Sequence, residues 1–234
     1  ANHLYEIEGN VIKKEGEVFY ELKTPTQGKE ILFSLNSAEE KKYNSLIPIS
    51  EDTDITAQVY KNGEKVGGLF SEKMLFHKGL QGNISLSIRP HEAYSTGGKN
   101  ALINGIQGND SRYGDKEWLG FWGEDVLITI DFPQDIEASK IGLRFYDANG
   151  QWIYAPNDVW FSAVLSDGRL LSMLQEVKAS EKDNLAEALF DLPADSDRRI
   201  SKIELRIPSY GIIAQGLQGA GNNTWTFIDE ILIE

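Results

Sequence analysis

Residues 55–63 read Ile-Thr-Ala-Gln-Val-Tyr-Lys-Asn-Gly, a run in which apolar and polar side chains alternate up to a closing Asn-Gly pair. Alternation with a period of two is typical of a β-strand that is buried on one face. Asn62 and Gly63 both tolerate positive φ, so the pair predicts a tight turn. We place the returning strand at Val66–Phe76. This stretch therefore predicts a β-hairpin.

Segments of the same kind occur on both sides of the hairpin, and each is short and ends in turn residues. They are Val18–Leu22, Ile31–Leu35, Val126–Asp131, Ile141–Tyr146, Val159–Leu165, Ile203–Ile207 and Thr226–Ile233. Repeated short strands between Gly, Asp and Asn turns are typical of β-sandwiches. Asn184–Leu192 is compatible with either a helical turn or another strand. The pattern predicts an all-β protein.

The composition and the periodicity of the chain change near Pro90. His91–Asp115 is rich in Gly, Asn, Asp and Ser and has little periodicity, which indicates long ordered loops. A length of 234 residues suits one large or two ordinary domains. We predict two domains, residues 1–88 and 89–234, joined by the short segment Ser87–Pro90.

Composition excludes several classes of function. The chain has 36 acidic and 23 basic side chains and a formal net charge of −13, which argues against a nucleic-acid partner because phosphate binding needs clustered Lys and Arg. No apolar run approaches the roughly 20 residues of a membrane span, so we expect no membrane insertion. Cysteine is absent, which excludes disulfides and thiol catalysis.

The sequence carries no recognisable catalytic motif. Its three histidines, His3, His77 and His91, form no zinc-protease pattern, and we expect His77 to be structural or solvent-facing. A glycosidase needs two carboxyl groups about 5–9.5 Å apart across a cleft. The acids here fall mostly in expected turns or at solvated strand positions: Asp52, Asp54, Asp167, Asp195, Asp197 and Glu204. We therefore expect a chain that is not itself an enzyme.

Two sets of motifs carry a resemblance to known families. The first set consists of Gly97–Gly108, Glu117–Phe121, Val126–Asp131, Trp152–Pro156, Ser166–Gly168 and Trp225–Ile231. As a set it resembles the discoidin or coagulation-factor type C domain, in the family-32-like carbohydrate-binding version that is attached to Bacteroidetes-type glycoside hydrolases. The second set consists of Ile31–Asn36, Tyr43–Ile49 and Asp54–Tyr60. It resembles the small β domain that follows the catalytic barrel of chitobiases and other β-N-acetylhexosaminidases.

The resemblance implies two tandem β-sandwiches, an immunoglobulin-like one and then a galactose-binding-like jelly roll. It also implies that the chain is the C-terminal accessory region of a secreted, periplasmic or cell-surface β-N-acetylhexosaminidase-like enzyme. The partner of this region would be the enzyme's own N-terminal catalytic domain, which would hold the catalytic Asp–Glu pair.

The resemblance further implies a structural calcium ion. The corresponding ligands are the carbonyls of Ala101 and Ile106 and the side chains of Asn104, Asn109 and Glu230. Asn104 stands where the family has Asp, and Asn109 stands where it has a hydroxyl residue, so the site loses charge and should bind calcium more weakly. Asp110 could compensate in part. The alternative is an Asn-Gly turn that is closed by its own hydrogen bonds.

Sugar binding is the second implied property, because the apolar faces of pyranose rings lie on aromatic side chains. Of the five tryptophans, we expect Trp118 to be a core residue and leave the direction of Trp160 open. The candidate sugar-binding residues lie in loops: Arg112, Tyr113, Trp122, Trp152 and Trp225. For each of them, packing is the alternative role.

These expectations lead to one functional hypothesis with two competitors. The chain would bind carbohydrate weakly, an amino sugar or a galactose-type glycan, and so hold the parent enzyme near its substrate. The first competitor is a structural spacer or buttress for the catalytic barrel that binds nothing. The second, which the absence of motifs disfavours, is an enzyme in its own right.

Overall fold

The computed structural model describes residues 2–193 and 199–234. In these two ranges the chain forms β-strands and short 3₁₀ segments and no α-helix, so the all-β prediction is confirmed. The 3₁₀ segments are Asn2–Tyr5, Lys78–Gln81, Glu92–Tyr94, Lys99–Ile103 and Asn149–Gln151. The chain divides into two compact units, Ala1–Phe76 and His77–Glu234.

The first unit contains two antiparallel sheets, ordered β1-β2-β5 and β4-β3-β6-β7. Its strands are β1 (Glu8–Lys14), β2 (Glu17–Lys23), β3 (Glu30–Leu35), β4 (Lys41–Lys42), β5 (Ile47–Ile49), β6 (Thr53–Lys61) and β7 (Glu64–Met74). On β6 the apolar residues Ile55, Ala57 and Val59 are buried, as the alternation predicts.

The predicted hairpin is confirmed at the junction of β6 and β7. Lys61 pairs with Glu64, and the two residues between them have φ angles of 52° at Asn62 and 81° at Gly63. These left-handed conformations match the twist of the flanking strands, which is why Asn-Gly closes two-residue hairpins.

The second unit contains two five-stranded sheets, ordered β13-β12-β16-β10-β8 and β14-β15-β11-β17-β9. Its strands are β8 (Asn83–Leu86), β9 (Leu119–Trp122), β10 (Val126–Glu137), β11 (Lys140–Tyr146), β12 (Asp158–Leu165), β13 (Leu170–Glu176), β14 (Lys178–Ala179), β15 (Leu185–Asp191), β16 (Arg199–Ile207) and β17 (Trp225–Ile233). Buried side chains of both sheets form one hydrophobic core. The open alternative at Asn184–Leu192 is resolved as strand β15.

The boundary between the units lies after Phe76, whereas the sequence predicted it after residue 88. Strand β8 pairs with β10 through Ile84 and Ile130, so residues 77–88 belong to the second unit. Sequence pattern could not assign β8, because a four-residue strand carries no information about the sheet that it joins.

A β-bulge interrupts β17 in the middle of its sheet. Leu143 pairs with Ile231 and Phe145 pairs with Ile228, so the single residue Arg144 lies opposite both Asp229 and Glu230. A bulge changes the direction of the side chains that it contains. Here it occurs at two consecutive buried carboxylates.

A first prediction concerns the hairpin of the first unit. Gly63→Ala should lower the free energy of unfolding by about 1–2 kcal/mol, because the alanine must adopt a left-handed conformation. No neighbouring atom lies near a Cβ at Gly63, so the cost comes from the backbone alone. Urea unfolding followed by far-UV circular dichroism measures it.

Gly68→Ala is the matched control, because Gly68 lies in open space and lacks a positive φ. This variant should be unchanged or slightly more stable. Equal losses in the two variants would contradict the assignment of the turn.

Candidate functional site

Three of the candidate sugar-binding residues come together on neighbouring segments of the second unit. Trp225, the first residue of β17, pairs with Trp122 at the end of β9. On its other side, the backbone N–H of Trp225 donates to the carbonyl of Trp152 at 2.8 Å. Residues that lie 30 to 103 positions apart in the sequence are therefore adjacent in space.

The three indole rings form one cluster, which we call the tryptophan cluster. The ring centroids of Trp122 and Trp225 are 4.8 Å apart, and those of Trp122 and Trp152 are 6.4 Å apart and stacked at 28°. All three side chains are partly exposed. The cluster thus offers aromatic surface to the solvent while its members support one another.

The conformation of Trp152 is unusual for a bulky residue. Its φ of 64° and ψ of 20° are left-handed, and it ends the 3₁₀ segment Asn149–Gln151. Gly219 packs against its indole so closely that a Cβ there would lie 2.3 Å from Nε1. The glycine-rich loop before β17 therefore covers part of Trp152.

Tyr113 lies in a second aromatic group that adjoins the tryptophan cluster. Its ring is 5.6 Å from that of Tyr146, 5.4 Å from Phe227 and 6.1 Å from Tyr94. Tyr94 in turn lies 5.2 Å from Trp225. Tyr113 therefore packs under the candidate site and is linked to it through Tyr94.

Arg112 is exposed in the same loop as Tyr113. Its carbonyl accepts the backbone N–H of Asp115 at 3.2 Å, which closes a turn. Of the five candidate sugar-binding residues, the three tryptophans thus form one cluster. Tyr113 packs against other aromatic rings, and Arg112 is an exposed cation.

Sequence reasoning missed two residues of this surface, His91 and Tyr94. The ring of His91 is exposed and lies 5.1 Å from that of Trp225. Its Nδ1 accepts the backbone N–H of Ala93 at 3.2 Å, so the neutral ring carries its hydrogen on Nε2. His91 can therefore donate to a ligand, but no motif around it gives a signal of this.

The remaining tryptophans have other roles. Trp118 is buried, and its Nε1–H donates to the carbonyl of Asn109 at 2.9 Å, which confirms it as a core residue. Trp160 points outward from the other sheet and is 50% exposed.

The side-chain oxygens of three of the predicted calcium ligands, Asn104, Asn109 and Glu230, accept hydrogen bonds from the protein. The Oδ1 of Asn104 accepts the backbone N–H of Ile106 at 2.9 Å, and its Nδ2 donates to Glu117 at 2.7 Å. The Oδ1 of Asn109 accepts both the N–H and the hydroxyl of Ser111, each at 2.9 Å. Asn104 therefore forms the self-closed Asn-Gly turn of the alternative interpretation, and Asn109 closes a similar turn onto Ser111.

Glu230 is buried, and its carboxylate receives three donors. The N–H of Gly105 donates at 2.7 Å, the N–H of Asn104 at 3.2 Å, and Nε2 of His77 lies 2.5 Å from Oε1. Of the two roles expected for His77, structural or solvent-facing, the structure shows the structural one. Within residues 2–193 and 199–234, no group of three or more His, Asp or Glu side chains could hold a metal ion.

In this arrangement the residues do not fit calcium. Calcium needs six to eight oxygen ligands that converge on one point. The carboxylate here faces N–H groups, and the amide oxygens of Asn104 and Asn109 face donors of their own turns. Ala101 lies in the 3₁₀ segment Lys99–Ile103 and Ile106 in the loop that follows it, and both residues are buried.

Asp229, the neighbour of Glu230, forms a buried ion pair. Its Oδ2 accepts from Nη2 of Arg144 at 2.6 Å and from the N–H of Gly108 at 2.9 Å. Arg144 also donates to the carbonyl of Gly108 and to Asp110, each at 3.0 Å. Asp110, which was to compensate for weak calcium ligands, therefore pairs with a protein cation.

Burial raises the pKa of the Asp229 carboxyl to about 7, while Arg144 and the Gly108 N–H lower it. Burial lowers the pKa of the Arg144 guanidinium, but its contacts with Asp229 and Asp110 outweigh burial and raise it. The pKa of Asp229 in the folded state lies above its unfolded value. The contribution of this carboxyl to stability is therefore present at acidic pH and falls as the pH rises from about 4 to about 7.

The acids that were expected in turns are placed as follows. Asp52 and Asp167 are exposed outside the strands, as expected. Asp54 is also exposed but lies on β6 and not in a turn, and Glu204 is partly exposed on β16. Asp195 and Asp197 lie outside the described residues. No helix in the described part of the chain is long and apolar enough to cross a membrane.

Comparison with known proteins gives neither a family nor a close relative. No family model and no curated protein matches the chain. A histidine mutant of the lectin-binding domain of lectinolysin, in complex with Lewis b, aligns at 11% identity and a TM-score of 0.42, over 68% of this chain and 96% of that one. A SusE-like protein aligns at 16% identity and a TM-score of 0.33, over 96% and 97% of the two chains.

A carbohydrate-binding module of the β-sandwich superfamily aligns at 11% identity and a TM-score of 0.32, over 100% of this chain and 99% of that one. At this level of similarity, these neighbours identify neither a family nor a ligand for this chain.

A second prediction concerns the buried ion pair. Arg144→Ala should lower the free energy of unfolding by about 3–5 kcal/mol at pH 8, because it leaves the Asp229 carboxylate buried without its cation. The loss should be smaller at pH 5, where the Asp229 carboxyl is protonated. Urea unfolding followed by tryptophan fluorescence reports on this unit, since all five tryptophans lie in it.

The control is Arg169→Ala, which removes an exposed ion pair with Asp167. It should change the free energy of unfolding by less than about 1 kcal/mol at either pH. A larger loss for Arg144→Ala at pH 5 than at pH 8 would contradict the proposed cause.

Proposed function

We propose that the second unit binds carbohydrate weakly through the tryptophan cluster. The observation that supports this most is the convergence of Trp122 at the end of β9, Trp152 after a 3₁₀ segment and Trp225 at the start of β17 onto one partly exposed aromatic surface. The C–H-rich face of a pyranose ring packs on such a surface, and neighbouring polar groups read its hydroxyls. The left-handed backbone at Trp152 adds support, because such conformations cluster at binding sites.

Polar groups suited to sugar hydroxyls flank the cluster. Nε2–H of His91 is a donor beside Trp225. Glu124, two residues after Trp122, and Gln151, directly before Trp152, are exposed. One stacked ring with two or three hydrogen bonds would give about −4 kcal/mol, which corresponds to a dissociation constant near 1 mM. The ligand class that we propose, an amino sugar or a galactose-type glycan, rests on the sequence resemblance.

The wider context is also part of the proposal. We propose that the chain is a non-catalytic accessory region of a secreted, periplasmic or cell-surface glycoside hydrolase of the β-N-acetylhexosaminidase type. The first unit would be its immunoglobulin-like domain and the second its discoidin-like domain. Support for this comes from the motifs quoted above, with Trp225–Ile231 on β17 among them.

The alternative, a structural spacer that binds nothing, has one observation in its favour. The indoles of the cluster contact one another, and Gly219 covers Trp152, as would be the case in a packing cluster. The two functions differ in whether the exposed ring surface has a ligand.

Calorimetry with N-acetylglucosamine and with galactose, preceded by a glycan array, tests the proposal. We expect millimolar binding that weakens about three- to tenfold in Trp122→Ala, Trp152→Ala or Trp225→Ala, which corresponds to the loss of one aromatic contact. Trp160→Ala is the matched control, because the Trp160 indole is exposed on the other sheet. The sugar affinity of this variant should equal that of the wild type.

The indole N–H signals of the wild-type chain provide a second test that needs no variant. Titration with sugar should shift the signals of the cluster and leave those of Trp118 and Trp160 in place. Absence of binding to every glycan, with no signal shifted, would favour the spacer.

A separate assay addresses catalysis. The chain incubated with a chromogenic N-acetylglucosaminide should release no product above the rate in buffer. Turnover that is lost when an acid of this chain is replaced would show that the chain is itself an enzyme.

A further inference from the structure

The tautomer of His77 follows from its hydrogen bonds. Its Nδ1 accepts the backbone N–H groups of Gly79 at 3.1 Å and Ile233 at 3.2 Å. A ring nitrogen that accepts carries no hydrogen, so the neutral imidazole is protonated at Nε2. Nε2–H therefore donates to Oε1 of Glu230.

In all its described contacts, the lone pairs of the Glu230 carboxylate that could bind a metal are directed at N–H donors of the protein. A bound cation would need the carboxylate to donate its lone pairs to a metal that the loop carbonyls also face. Here the N–H groups of Asn104 and Gly105 and the imidazole of His77 point at the carboxylate instead. A buried carboxylate is stable when such donors surround it.

We propose that His77, together with the backbone N–H groups of Asn104 and Gly105, takes the structural place of a calcium ion. In this role it joins the 3₁₀ segment Lys78–Gln81, the loop at residues 104–118 and strand β17 at one buried point. Arg144 provides the second attachment of the same loop, through Asp229 and Gly108. The loop is fixed by side chains of the protein and needs no metal.

This arrangement has a consequence for the aromatic surface, which rests on the proposed function. The 104–118 loop carries Tyr113, which contacts Tyr94, and Tyr94 contacts Trp225. The position of the tryptophan cluster, and any sugar binding by it, should therefore not depend on calcium.

Native mass spectrometry and thermal unfolding of the wild-type chain test the metal-free attachment. With calcium chloride, the mass should show no bound calcium, and the midpoint should differ by less than about 1 °C from that in EDTA, because a ligand that does not bind cannot shift unfolding. One calcium per chain, with a midpoint raised by calcium and lowered by EDTA, would overturn the proposal. Neither measurement involves a sugar, so its outcome is independent of the proposed function.

Variants at His77 test its part in the attachment. His77→Ala removes a buried donor and should lower the midpoint of the second unit by about 5–10 °C. His77→Gln keeps an N–H near the position of Nε2 and should recover part of this loss. His3→Ala, at an exposed histidine, is the control and should leave the midpoint unchanged. Equal midpoints for His77→Ala and the wild type would overturn the role of His77.

If His77→Ala does not fold, nitrogen-15 NMR of the wild-type imidazole still decides the question. The spectrum should show His77 as the Nε2–H tautomer, with slow exchange of that proton because the ring is buried. An Nδ1–H tautomer would overturn the proposal, since Nε2 would then be free to face a cation.

Discussion

The second unit depends on the attachment of its long loop to strand β17 through two consecutive carboxylates. A carboxylate that leaves water must be surrounded by donors, or its desolvation outweighs what it contributes. Glu230 meets this requirement with N–H groups, and Asp229 meets it mainly with the Arg144 guanidinium. The bulge opposite Arg144 brings both acids to the same loop, which two successive residues of a regular strand would not reach because their side chains point to opposite faces.

This attachment determines where the aromatic side chains lie. The 104–118 loop packs over the outer face of the sheet, where Trp118, Tyr146 and Phe227 form a small second hydrophobic cluster. Tyr94 and Tyr113 extend this cluster to Trp225 at the end of the sheet. Rigid packing on one side and partial exposure on the other give a surface that is organised before any ligand arrives, which lowers the entropic cost of binding.

The sequence predicted many of the residues in the candidate site, but few of the contacts that those residues make. The sequence predicts Trp122, Trp152 and Trp225 as loop residues of a sugar site. The structure brings the three together, but it places Trp122 and Trp225 at the ends of strands β9 and β17. The set around Glu230 was identified in the same way, but the direction of its hydrogen bonds was not. The identity of an Asn or Glu residue in the sequence does not show whether its side-chain oxygen binds a cation or accepts a hydrogen bond from an N–H group. The donor that decides this is His77, 153 positions from Glu230 along the chain.

The sequence by itself determined the all-β class, the strands with clear alternation and the Asn62-Gly63 hairpin, because these depend on side-chain periodicity and on local backbone preferences. Only the tertiary structure decided that Asn83–Leu86 joins the second unit, that Trp160 faces outward, and that Glu230 is bound by N–H donors. Each of these properties belongs to a pair of segments far apart in the chain. The local sequence pattern cannot predict contacts between distant segments, because the packing of the whole unit makes these contacts favourable.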